Sequence, residues 1–299
     1  MTLSLFTGLS AFSTTPANAD GVVDTDALGI LVDRLAAAGV DSIGLLGSTG
    51  GYAYLDRSER SRAVAAAVEA AGGRVPLIVG VGSLRTSWSQ QLAADAERLG
   101  AAGLLMAPMS YTPLTPGEAA HHYRTVAGTT RIPLCIYNNP GTTQFVFSDA
   151  LIAELAAIPR VAAIKMPLPA DGDFAGERAR LQTRAPAGFS VGYSGDWGAA
   201  ASLLAGGDAW YSVVAGLLPA PALRLTRAAQ AGRTAEVAAL DTAFAPLWDL
   251  FRAHGSFRIN YAIADRLGLA VGDPPLPIRR VDAAIAARVD VALASVSAV

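Results

Sequence analysis

The sequence predicts an α/β fold, a closed (β/α)8 TIM barrel followed by a C-terminal helical appendage. Two observations carry this. Short apolar runs bounded by glycine or proline alternate with amphipathic stretches over roughly the first 210 residues, giving eight strands and seven intervening helices. No Gly-x-Gly-x-x-Gly turn follows an early strand, which sets aside an open doubly wound sheet. The apolar runs are continuous rather than alternating, as expected of parallel strands covered on both faces.

The elements follow in order. Residues 3–12 are apolar, and although Ala17-Asn18-Ala19 has the look of a cleavage site, no Lys or Arg precedes the run. It reads as the first strand rather than a secretory leader. A helix over 24–38 stops at Gly39, one over 57–71 at Gly72 and one over 86–99 at Gly100, each a helix-ending glycine. Strand 42–46 precedes the second of these and runs into Gly47-Ser48-Thr49-Gly50-Gly51; strand 76–81 precedes the third. Strand 103–107 leads to Tyr111. The helix over 115–127 opens on Thr115 and Pro116 with Glu118 close behind, and the helix over 148–158 opens on Ser148 before Asp149. Between them, strand 132–137 ends in Tyr137-Asn138-Asn139-Pro140. Strand 161–165 ends in Lys165, and strand 189–193 ends in Ser194-Gly195-Asp196, with a helix over 173–185 between them. A helix over 197–205 and a strand over 209–214 complete the series. Past 218 the strands stop, and 221–231, 235–253, 259–267 and 281–295 read as helices. The expected division is a barrel over 1–220 and a helical region over 221–299, too short for a conventional second domain.

Composition narrows the function. Hydrophobic residues make up 52% and charged residues 16% of the 299, with a net charge of −2. A large core is available, no basic patch suggests nucleic acid, and no apolar run approaches membrane-spanning length. Low surface charge leaves room for subunit interfaces. The single cysteine, Cys135, excludes an intrachain disulfide and makes the cytoplasm the expected compartment. Its apolar flanks make it a buried core residue rather than a nucleophile. His121 and His122 are adjacent and lack ligand spacing, so both read as surface residues and no metal site is expected.

One lysine stands among the 23 Lys and Arg residues. It is Lys165, at the end of Val161-Ala162-Ala163-Ile164-Lys165. Arginine serves for surface charge and ion pairs, but its guanidinium stays protonated and cannot attack a carbonyl. A lysine kept where its flanks predict burial points to covalent chemistry, since desolvation favours an amine's neutral, nucleophilic form. In a (β/α)8 barrel the reactive groups project from the C-terminal ends of the strands. That gathers Gly47–Gly51, Tyr111, Tyr137, Lys165 and Ser194 around one mouth. A phenol beside the amine can move the proton that carbinolamine dehydration requires. The hydroxyls and backbone N–H groups of 47–51 make a cradle for a small carboxylate. Other readings stand beside these. Lys165 can be an ion-paired structural residue, Tyr137 a core tyrosine, Tyr111 an interface anchor and Asp196 a turn residue. Gly206-Gly207 suggests a phosphate-binding barrel, but no P-loop motif accompanies it.

Gly-Ser-Thr-Gly at 47–50, Tyr-Asn-Asn-Pro at 137–140, the strand ending in Lys165, and Ser-Gly-Asp at 194–196 occur in an order that resembles the dihydrodipicolinate synthase / N-acetylneuraminate lyase family. The resemblance runs from Phe6 to about Pro219, and the helical tail fits it. It implies a class I lyase, aldolase or dehydratase acting on pyruvate or another 2-keto acid, without metal or cofactor, as a homo-oligomer (tetramer or dimer). By position it implies that Lys165 forms the imine and Tyr137 shuttles protons. Ser48, Thr49 and Gly50 hold the keto-acid carboxylate, with the Ser48 hydroxyl linked to Tyr137. Tyr111 completes the relay from an adjacent subunit, and Thr142 and Ser194 contribute to the substrate pocket.

The departures from the pattern are specific. Gly51 stands where the family often has Glu, Thr142 where the lysine-pathway synthases have an arginine, and Met166-Pro167 where polar residues are usual. The imine machinery reads as complete and the second-substrate pocket as altered. The expectation is therefore a Schiff-base lyase other than a genuine dihydrodipicolinate synthase, with a non-catalytic 2-keto-acid binder as the alternative.

Overall fold

A computed structural model of the chain describes residues 5–299. Eight parallel strands close into a barrel in chain order. They are β1 (Gly8–Phe12), β2 (Ser42–Leu45), β3 (Leu77–Gly80), β4 (Gly103–Met106), β5 (Leu134–Tyr137), β6 (Val161–Met166), β7 (Ser190–Tyr193) and β8 (Ala209–Ser212). The helices are α1 (Thr25–Ala38), α2 (Arg57–Ala71), α3 (Thr86–Leu99), α4 (Pro116–Ala127), α5 (Pro140–Thr143), α6 (Asp149–Ala156), α7 (Phe174–Arg184), α8 (Ala199–Leu204), α9 (Pro219–Gln230), α10 (Thr234–His254), α11 (Ser256–Arg266) and α12 (Ala283–Ser297). Every expected strand is present, most of them trimmed by one or a few residues at an end. Of the run expected at 3–12, residues 3 and 4 lie outside the described residues. The four-residue α5 was not expected; Pro140 at its first position sets the backbone angle that a helix start needs.

The expected helix starts form: Ser148 accepts a backbone N–H from the first turn of its helix, and Thr115 and Glu118 form a reciprocal capping box; Asp24, Asp56 and Asp173, not singled out in the sequence, cap their helices in the same way. Gly39, Gly72 and Gly100 end α1, α2 and α3 in the left-handed region. Strand alternation divides the core in two. One set of side chains, including Phe12, Cys135, Tyr137, Ala163 and Tyr211, fills the barrel. The larger set lies between the strands and the helices.

Packing of α9 against α8 and α1 makes it the eighth helix of the outer ring. The boundary expected at 220/221 falls within it. The last three helices pack on one another and on α8 and α9. The Asn260 side chain of α11 reaches back to donate to Thr14 Oγ1 at 3.0 Å, which holds α11 over the segment that follows β1. At the other end of the barrel Arg227 grips Asp41 with two bonds of 2.9 and 2.8 Å, while Asp41 also accepts from Leu9 N.

Two residues need correction or comment. His122 is buried, not exposed: adjacent residues on a helix lie about 100° apart, and only His121 of the pair faces solvent. Its Nδ1 lies 3.0 Å from Thr86 Oγ1, and burial holds its imidazole below the ordinary range. Cys135 is fully buried, and desolvation pushes its thiol up to about 12, which keeps it a protonated core residue.

Asp196, in the turn after β7, is 1% exposed and is held by three donors. Its carboxylate accepts from Val214 N at 2.7 Å, Trp210 Nε1 at 3.0 Å and Val213 N at 3.2 Å, which fastens the end of β8 to the end of β7. Removing it in Asp196→Ala leaves those donors without their acceptor and is expected to lower unfolding free energy by about 3 kcal/mol in urea titrations. Desolvation outweighs the three bonds and raises this carboxyl from 3.8 to about 6. The folded state therefore holds its proton more tightly than the unfolded chain does. The protonation-linked part of Asp196's contribution is full below its ordinary pKa and is lost as pH rises through about 6, so the stability difference between wild type and Asp196→Ala is expected to shrink over that window.

Candidate active site

The segment after β2 is shaped by close approach. Leu46 turns the chain with φ of 56°, in a region that non-glycine residues rarely adopt. Its carbonyl oxygen then sits where a Cβ on Gly80 would lie, 1.8 Å away, so β3 must present a glycine there. The Phe12 ring packs against Gly44 and Gly47, each of whose Cβ positions would fall 2.6 Å from it. Gly50 folds back on the Leu46 backbone, with 3.0 Å from its Cβ position to Leu46 N. Four glycines and one aromatic ring thus fix where Ser48 and Thr49 stand. Thr49 is buried, and Ser48 is half-buried at the mouth.

Lys165 and Tyr137 are register partners on the neighbouring strands β6 and β5. Side chains two apart share a strand face, so Lys165 follows Ala163 and Tyr137 follows Cys135 into the barrel. Lys165 is 4% exposed and has no ion-pair partner among the described residues. Its Nζ lies 4.0 Å from the centroid of the Phe12 ring, 4.2 Å from that of Tyr137 and 5.7 Å from that of Tyr211. Aromatic faces attract a cation, so this enclosure stabilises either an ammonium or an iminium at that nitrogen.

The Tyr137 hydroxyl accepts from Asn139 Nδ2 at 3.0 Å and lies 3.3 Å from Ser48 Oγ. With Asn139 donating, the phenolic proton is left to pass to Ser48 or to a bound molecule. Ser194 donates its hydroxyl to Met166 O at 3.1 Å, which ties the end of β7 to the residue after Lys165. The structure therefore brings Ser48, Tyr137 and Lys165 together, with Thr49, Gly50 and Ser194 next to them in the chain fold. Tyr111 is 97% exposed and is not joined to this group within the chain. Thr142 lies in α5, exposed, with its hydroxyl donated to Asn139 O at 3.3 Å. Beside the mouth is a cavity of about 300 Å³ whose lining includes Ser48, Gly51, Tyr54, Thr142, Phe257 and Arg258.

Sequence reasoning missed Phe12, Tyr211 and Asn139. Strand parity marks the first two as inward-facing at the mouth, and Asn139 sits inside a motif already singled out. It also missed Phe257 and Arg258, for which no local signal exists, because α11 is far along the chain.

The sequence pattern of the dihydrodipicolinate synthetase family matches residues 5–295. The chain belongs to that family. A solved structure of a dihydrodipicolinate synthase from Agrobacterium tumefaciens str. C58 shares 56% identity and covers 98% of each chain, with a TM-score of 0.96. The 4-hydroxy-tetrahydrodipicolinate synthase of Cellvibrio japonicus is 34% identical over 90% of this chain and 91% of its own. That of Aromatoleum aromaticum is 32% identical over 97% and 98%. These names lend no support to the expectation that the chain is something other than a dihydrodipicolinate synthase, nor do they favour a non-catalytic binder.

Within this family member the departure at position 51 has a local cause. Gly51 has φ of +61°, and a Cβ there would touch Phe257 Cζ at 3.7 Å. A side chain there must accept a left-handed backbone and would start in van der Waals contact with that ring. The same close-approach logic gives a test of the loop. Gly80→Ala is expected to push the Leu46 carbonyl away, cutting turnover by more than tenfold and lowering the unfolding free energy by about 1–3 kcal/mol. Steady-state assay and urea titration of the purified variant check both.

Proposed function

We propose that this member of the dihydrodipicolinate synthetase family is a class I, Schiff-base-forming lyase or aldolase acting on pyruvate or a related 2-keto acid. The observation that supports it best is the pairing of Tyr137 with Lys165 inside the barrel, with Ser48 on the phenol. The Lys165 amine attacks the ketone carbon. Tyr137 gives a proton to the departing hydroxyl of the carbinolamine, which leaves as water, and the iminium then forms. The iminium nitrogen draws electrons from the adjacent carbon, so that carbon loses a proton and becomes nucleophilic, or a C–C or C–O bond next to it breaks. The carboxylate of the acid rests on Ser48, Thr49 and Gly50, and Ser194 braces the strand end that carries the lysine. Thr142 faces the second substrate. Tyr111 reaches the site of a neighbouring subunit in a homo-oligomer, where its phenol extends the proton relay. The cytoplasm, which suits a chain with one buried thiol, is the proposed compartment.

Reductive trapping checks the central step. Borohydride with pyruvate is expected to leave a covalent adduct on Lys165, read by intact mass and peptide mapping, and none on that position in Lys165→Arg. Reversible pyruvate binding without any adduct would favour a non-catalytic binder. Tyr137→Phe is expected to keep some trapping while turnover falls by about 10²–10³. Turnover is to be measured with pyruvate as donor and a panel of small aldehydes as acceptors.

The role of Tyr111 makes a separate prediction. Tyr111→Phe is expected to lower kcat by about tenfold or more without altering the fold of the isolated chain, where the residue is exposed. Mixed oligomers of Tyr111→Phe and Lys165→Arg subunits then regain part of the activity only if the phenol acts across the interface, which a subunit-mixing assay reads directly.

A further inference from the structure

The cavity beside the mouth has a wall that the barrel strands and their loops do not supply. The first turn of α11 brings Phe257 over Gly51 and sets Arg258 on the same cavity as Ser48 and Thr142. Arg258 is exposed and, among the described residues, has neither an ion pair nor a hydrogen bond. Many arginines are satisfied, as Arg57 is by Asp95 and Arg280 by Asp265 and Asp273. Others, such as Arg184, Arg279 and Arg288, also have no ion pair or hydrogen bond among the described residues, but none of them lines this cavity. Arg258 is the only charged side chain among the described residues that line the cavity, where the neighbours offer hydroxyl, aromatic and aliphatic groups. Ser48 joins this space to the reacting centre, since its Oγ lies 3.3 Å from the Tyr137 hydroxyl.

We propose that Arg258 is a specificity-determining residue that binds a carboxylate distal to the reacting carbonyl. In condensation that group belongs to the acceptor, and in cleavage it is the far end of a longer 2-keto acid; the two are the same carboxylate. This rests on the imine chemistry proposed above. A guanidinium presents a planar fork that matches a carboxylate with two parallel bonds, and an unpaired one on a neutral cavity wall is available to do so. A single positive group balances one negative charge. A phosphate dianion calls for a second cation, and the lining has none.

The test uses the purified full-length protein with its Arg258→Gln and Arg258→Lys variants. Each is trapped with borohydride at graded concentrations of 2-oxoglutarate and 2-oxoadipate, and of their methyl-ended counterparts of equal chain length, 2-oxopentanoate and 2-oxohexanoate. Pyruvate is the reference, and intact mass reads the adduct. In the unaltered chain at least one dicarboxylic acid is expected to reach half-trapping at a concentration about tenfold or more below its counterpart, a ratio that falls to within about twofold in Arg258→Gln and is partly kept in Arg258→Lys. The readout is the ratio between two acids within one protein, so a general loss of trapping does not move it. If pyruvate forms its adduct but the unaltered chain shows no dicarboxylate preference, or if the preference survives in Arg258→Gln, the assignment of Arg258 is overturned and the imine chemistry stands. If nothing is trapped, pyruvate included, both readings fall together.

Discussion

The site depends on one constraint: an amine and a phenol placed opposite each other on adjacent parallel strands. In a closed barrel that register cannot slip by one residue without turning one of the two side chains out of the interior. Lys165 thus owes its position to the hydrogen-bond ladder between β5 and β6 rather than to any ion pair. With no carboxylate partner among the described residues, the enclosure of three aromatic rings is what faces the nitrogen.

The rest of the mouth is built around this pair by close packing of backbone. Phe12 serves twice, lying against Lys165 on one side and against the glycines of β2 and its loop on the other. The same ring that encloses the amine therefore sets the height of Gly47 and, through it, the position of Ser48. Asp196 plays a matching part at the far strands, where it locks the end of β8 next to the ring of Tyr211. The geometry around the nitrogen is thus tied into the barrel at both sides, and its precision comes from strands rather than from mobile loops.

Much of this was legible in the sequence. The strand ends at Tyr137, Lys165 and Ser194 follow from apolar runs stopped by polar or turn residues, and chain order places β5 beside β6 once the barrel is inferred. The solitary lysine drew attention to the end of β6, because arginine supplies every other strongly basic side chain of the chain. What periodicity could not reveal is whatever depends on contacts far apart in sequence. The lone Phe12 reads as a strand residue until Gly44 and Gly47 are found against it. His122 reads as a surface residue until the packing of α4 on α3 is known. Tyr111 reads as part of the site, yet within its own chain it points to solvent. Thr142 and Gly51 stand out as losses in the sequence; in the fold they face Phe257 and Arg258, which come from the opposite end of the chain.

That long-range arrangement has a consequence for synthesis. The bond from Asn260 to Thr14 joins residues 246 positions apart, and α11 begins only at Ser256. A nascent polypeptide emerging from the ribosome presents Lys165, Tyr137 and the loop after β2 well before the segment that walls the neighbouring cavity has been made. On the proposed roles, chemistry and selectivity would be assembled at different times from different parts of the gene, and mutations near its 3′ end would retune which molecules are admitted while leaving Lys165 and Tyr137 as they were.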